Sequence, residues 1–140
     1  MHSNWQCYDR VLIPPIAASF FIFLSVEFCA AQQLSLDRQI DCLGESTRLS
    51  TTLDYLRDSG ADITYSDLEA SEQLVQKWGF AFGRSIGELP QIEKDAWLSK
   101  YRSSMKLKID GLMTMIKKIG LEESLRITRE RVNECVRLEQ

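Results

Sequence analysis

The sequence predicts an all-α domain: a bundle of four helices, or five if the third is broken, preceded by an N-terminal signal or anchor segment. Three observations predict it. Four stretches carry apolar residues at spacings of three, four and seven, the repeat that lines one face of a helix. Capping and stop residues separate those stretches. Only Trp78 to Gly83 alternates like a strand, and a lone strand has no partner to pair with.

The first helix is expected over Ser35 to Ser59. Leu36, Ile40 and Leu43 fall on one side, and Cys42, Leu49, Leu53 and Leu56 continue at spacings of seven, four and three. Ser35 can cap the start, and Gly60 stands where a left-handed residue closes a helix. Gly44 weakens the interior by about 1 kcal/mol relative to Ala; it is either simply tolerated or marks the close approach of a neighbour. Ala61 to Tyr65 is a connector, and Ser66-Asp67-Leu68-Glu69 has the spacing of a capping box. The second helix then carries Leu68, Val75, Trp78, Phe82 and Ile86, and ends at Gly87 and Pro90.

Within it, Trp78 to Gly83 has two readings. As helix, Trp78 and Phe82 point to the core, Gly79 and Gly83 leave a smooth groove for a neighbour, and Phe80 points outward. As strand, Trp78, Phe80 and Phe82 line one face. The capping signal upstream favours helix. Pro90 suits the first turn of a third helix. Its stripe runs from Ile92, Ala96 and Leu98 into Tyr101, Met105, Ile109, Leu112, Ile116 and Ile119, with Gly120 as the stop. Asp110-Gly111 is a point where this long pattern can bend or break. The fourth helix runs from Leu121 to about Leu138, with Leu121, Leu125, Thr128, Val132 and Cys135 on one face.

Ahead of these lies Val11 to Ala31. Its apolar run, Ile16 to Val26, suits the middle of a secretory signal and is short for a bilayer span, which needs about 20 apolar residues. Cys29-Ala30-Ala31 offers small residues for cleavage before Gln32. The expected division is therefore 1–31 as signal peptide and 32–140 as the helical domain. Asp9 beside Arg10, the Pro14-Pro15 pair and Glu27 are unusual in a signal. An uncleaved anchor over Val11 to Ala31 is the second reading, and a cytosolic protein with a buried N-terminal helix the third. Glu27 and Phe28 occupy places where a lipobox needs small residues.

Residues 32–140 number 109, enough for one domain with its own core. They carry 16 basic and 18 acidic residues, which is not the footprint of a nucleic-acid binder. Cys7 and Cys29 belong to the leader, which leaves Cys42 and Cys135. In an oxidising compartment such a pair reads as a disulfide; the alternative is two buried free thiols. The only histidine, His2, is also in the leader. The domain therefore lacks the histidine of Ser-His-Asp and Cys-His catalysis, of HExxH zinc sites and of histidine-held haem. There is no C-x-x-C redox pair and no spaced D-x-D-x-D-G calcium loop. No catalytic residue, metal ligand or cofactor is assigned.

Charge is unevenly spread. Residues 37–72 hold nine acids against three bases, whereas the third helix holds seven bases against three acids. Two arrangements fit: a basic face for an anionic partner, or solvated faces opposed within the bundle. Glu122-Glu123 suits the dipole at a helix start better than acid–base chemistry. Trp78, Phe80, Phe82, Trp97 and Tyr101 form the candidate partner-binding set, since Trp and Tyr dominate binding hot spots; core packing is the competing account of the same residues. Phe80 discriminates between them, because it lies off the core stripe. The expected protein is exported, periplasmic or secreted. It is not an enzyme, and it binds an unidentified protein as inhibitor, immunity factor, chaperone or assembly subunit. It touches a membrane only if the leader is uncleaved. The alternatives are a membrane-tethered protein and a carboxylate-based hydrolase.

Overall fold

A computed structural model describes residues 34–138. The leader, with His2, Cys7, Cys29 and the expected cleavage point, lies outside the described residues, as do Glu139 and Gln140. Four helices follow one another: α1 (Leu36–Asp58), α2 (Tyr65–Gly87), α3 (Gln91–Ile119) and α4 (Leu121–Arg137). Among the described residues there is no strand, so Trp78 to Gly83 is helical, and no helix is long and apolar enough to cross a membrane.

The helix ends follow local chemistry. The Ser35 hydroxyl accepts from the Arg38 N–H at 3.3 Å and caps α1. At the other end Gly60 has φ +86°, the Gly60 N–H bonds the Arg57 carbonyl, and the Ala61 N–H bonds the Leu56 carbonyl. That pair of bonds is the Schellman closure, which needs a left-handed residue at this place. The start of α2 differs from the capping box expected at Ser66. Thr64 is the cap, two residues earlier. Its hydroxyl accepts from the Asp67 N–H at 3.1 Å and donates to the Asp67 carboxylate at 2.6 Å. Thr64-x-x-Asp67 therefore satisfies the same spacing with a shorter acid, and Ser66 sits inside the first turn. Pro90 is the cap of α3 rather than a first-turn residue.

Asp110-Gly111 does not break α3, which runs 29 residues. Lys106 bonds Asp110 at 2.9 Å one turn back, and the Thr114 hydroxyl bonds the Asp110 carbonyl at 2.9 Å one turn on, so the helix is stapled across the glycine. Gly120 alone joins α3 to α4, with φ +86°. A one-residue connection needs an abrupt change of backbone direction, and glycine makes that left-handed conformation cheap.

Helix α1 is the centre of the domain and packs against the other three, most extensively against α2. Twelve of its 23 residues are buried, more than one helix stripe supplies, so α1 is covered on several sides. One cluster joins Cys42 and Leu43 to Trp78, Ala81 and Cys135, with Leu34, Val75, Tyr101 and Met105 around it. A second joins Leu49, Leu53 and Val132, with Ile63, Leu68, Leu74 and Leu125 at its edge. By contrast α3 buries only Leu112 completely. Its expected stripe is only half covered, and Ile92 and Ile119 are exposed.

The two glycine expectations separate. At Gly44 a Cβ would meet Met105 Cε at 3.0 Å and Lys108 Cδ and Cε at 3.1 Å, so this glycine does mark a close approach, of α3 on α1. At Gly79 and Gly83 nothing among the described residues lies within 4 Å of a Cβ, so no described helix uses that groove.

Candidate functional site

The two sulfurs are joined. Cys42 of α1 and Cys135 of α4 form a disulfide with Cα atoms 5.6 Å apart, and both residues are essentially without solvent exposure. The heptad-like spacing that places Cys42 with Leu49 on α1 and Cys135 with Val132 on α4 turns both toward the seam where the two helices meet. The disulfide closes a loop of 93 positions, worth about 4–5 kcal/mol by loss of chain entropy in the unfolded state.

Beside it opens a cleft of about 210 Å³, lined by Arg38, Asp41, Glu45, Lys108, Arg131, Glu134 and Cys135. Its inner member is Glu45, whose side chain is 4 % exposed. Glu45 meets Arg48 at 3.3 Å, Lys108 at 2.5 Å and Arg131 at 3.5 Å. The Lys108 ammonium also holds Asp41, and Asp41 takes a second ion pair from Arg38 at 3.1 Å. Further along, Lys100 pairs with Asp37. The basic side of α3 is thus partly turned onto the acidic side of α1, the opposed arrangement of the two that the sequence allowed. Arg48 is buried; among the described residues it bonds Glu45 and the Met115 sulfur, and its Nε has no partner there. Glu134 is the one carboxylate of the cleft with no ion pair among the described residues.

This network was not singled out from the sequence. Its local signal is the spacing of Glu45 and Arg48, three apart and set between Leu43 and Leu49. Two opposite charges inside a buried stripe predict mutual pairing. Lys108 lies 63 positions from Glu45 and could not be placed beside it from spacing.

The aromatic set is not brought together as one surface. Trp78 and Phe82 lie in the core, 0 % and 5 % exposed, so for these two core packing, the competing account, describes their place. The reason is the helical period: residues 78, 81 and 82 share one buried side of α2, where Trp78 and Ala81 meet α1 and Phe82 meets Tyr101 of α3. Tyr101 is half-buried with its ring 5.5 Å from that of Phe82, which makes it the rim of the core. Trp97 is half-buried, with the Lys100 ammonium 4.8 Å over its ring. Phe80 alone is strongly exposed, at 60 %.

An apolar groove of about 220 Å³ lies between α2 and α4, floored by Leu49 and Leu53 of α1 and walled by Leu74, Val132 and Val136. Asp67 and Arg129 stand at its edge, 3.9 Å apart. The Thr64 hydroxyl, with help from the Thr64 backbone bond and Arg129, holds the Asp67 carboxyl below the ordinary range. On α4 the Arg126 guanidinium does the same for Glu123, one of two first-turn acids. Among the described residues no group of three or more His, Cys, Asp or Glu is arranged to hold a metal ion.

No family model matches the chain, and no curated protein or solved structure is significantly similar to it.

Proposed function

We propose that this chain is an exported, non-catalytic helical domain that binds another protein. The observation that carries the compartment is the buried cystine joining the first described helix to the last. Such a bond forms and persists in oxidising space. Removal of residues 1–31 would leave only these two cysteines, already paired. An inhibitor, immunity factor, chaperone or assembly subunit fits a small rigid bundle of this kind. Phe80 is the centre of the contact surface in this reading, since it is a large apolar side chain turned outward on α2.

Hydrolysis by paired carboxylates has the charged cleft as its support. There Asp41 and Glu45 are occupied by Lys108 and by arginines, and among the described residues Glu134 alone of the three is left without an ion pair. A pair of carboxylates free to share acid and base work is therefore not supplied by that cleft.

The test is in two steps. Intact mass of the protein recovered from its native cells should match residues 32–140 less two hydrogens. Photo-crosslinking from a probe at position 84, next to Phe80, should then trap one major protein species, and Phe80→Ala should reduce that yield at least about fivefold, as loss of an aromatic hot spot does. A full-length reduced chain would refute export. A yield that Phe80→Ala leaves intact would refute the contact surface.

A further inference from the structure

We propose that α4 is a latch: the Cys42–Cys135 bond, rather than packing, keeps it on the bundle, and a dithiol reductant releases it while α1 to α3 stay folded. The seam of α4 carries this. Its fully buried residues are Ser124, Thr128, Val132 and Cys135, so Val132 is the only purely hydrocarbon side chain that α4 buries completely. The Ser124 hydroxyl bonds the Gly120 carbonyl and the Thr128 hydroxyl bonds the Ser124 carbonyl, both along α4's own backbone. Neither ties α4 to α1. Among the described residues the polar links from α4 to other helices are two ion pairs, Arg129 to Asp67 at 3.9 Å and Arg131 to Glu45 at 3.5 Å. Both arginines are about half exposed, where such pairs hold weakly.

The remainder does not depend on α4 in the same way. Cys42, Leu43, Trp78 and Ala81 bring α1 and α2 together, with Tyr101 and Met105 of α3 against them and Phe82 against Tyr101, and Cys135 is the single residue that α4 adds to this cluster. The joint is also suitable. Gly120 is the whole connection between α3 and α4, so α4 can swing by rotation there without unwinding α3. Cys135 lines the charged cleft, which is the approach to the bond from solvent.

The chemistry balances within the disulfide and the dithiol. One thiolate of the reductant attacks a cystine sulfur, breaking the Cys42–Cys135 bond and forming a mixed disulfide. The second thiol of the reductant then displaces the bound cysteine. Two electrons and two protons pass to the protein, leaving two cysteine thiols and an oxidised dithiol. Departure of α4 uncovers Leu49 and Leu53, the floor of the apolar groove. Reduction thus exchanges a closed face for an open one.

Hydrogen exchange of the full chain, with and without dithiothreitol, tests this. On reduction, amides of residues 124–136 should exchange at least about tenfold faster, while those of residues 71–82 in α2 change by less than about twofold. Unchanged protection over 124–136, or equal loss over both segments, overturns the latch. The Cys42→Ser, Cys135→Ser double variant, read without reductant, should reproduce the reduced pattern. A double variant whose α4 is as protected as in the oxidised protein, or one unfolded throughout, also overturns it.

Discussion

Replacing Glu45 by Gln should destabilise the domain more than removing Lys108, although Lys108 touches two carboxylates. The side chains of Glu45 and Arg48 are 4 % and 6 % exposed, so their charges are without water. Glu45 is the one carboxylate that Arg48 meets among the described residues. Glu45→Gln therefore leaves a buried guanidinium with no counter-ion, a loss of about 3–5 kcal/mol. Lys108→Met is milder. Glu45 keeps Arg48 at 3.3 Å and Arg131 at 3.5 Å, and Asp41 is 42 % exposed and keeps Arg38. That change should cost about 1–2 kcal/mol. Removing both buried charges, as Glu45→Leu with Arg48→Met, should return stability to within about 1 kcal/mol of the parent, since neither charge is then buried alone. Urea unfolding of the oxidised protein reads all three as midpoint shifts at constant slope. If Glu45→Gln costs no more than Lys108→Met, or if the double variant is as unstable as Glu45→Gln, Arg48 is not dependent on Glu45 and the account of the network fails.

Three other outcomes follow from particular contacts. Gly44→Ala gains about 1 kcal/mol of helix propensity but must displace the Met105 methyl at 3.0 Å; pairing it with Met105→Ala should show favourable coupling of at least about 0.5 kcal/mol in a double-mutant cycle. Trp78→Ala should cost about 3–5 kcal/mol, whereas Phe80→Ala should stay below about 1 kcal/mol, because one ring is in the core and the other is mostly in water; comparable losses in thermal or urea unfolding would contradict the α2 register. Thr64→Ala should raise the Asp67 midpoint, followed by carboxyl NMR, toward its ordinary 3.8. The folded midpoint is depressed, so the Asp67 contribution to stability is complete above about 4 and fades as pH falls through the folded value. The stability difference between parent and Thr64→Ala should shrink across that acid window, and a constant difference would leave the Thr64 link unsupported.

What the sequence by itself determined is whatever short-range chemistry writes. The apolar period set four helices and turned Trp78 and Phe82 inward with Phe80 outward, because a helix repeats its faces every three to four residues regardless of its neighbours. Ser35 and Gly60 were legible for the same reason: a cap acts within one turn. Thr64 escaped because two overlapping capping spacings compete there, and the backbone entering α2 chooses between them. Both cysteines were placed on inward faces, but only packing could bring helices 93 positions apart in sequence to a Cα separation of 5.6 Å. The Glu45–Arg48–Lys108 network and the thin seam of α4 are tertiary in the same sense. A side chain's face is fixed by its own helix; what meets that face, and whether a charge there finds a partner before it loses water, depends on how distant helices come to rest against each other.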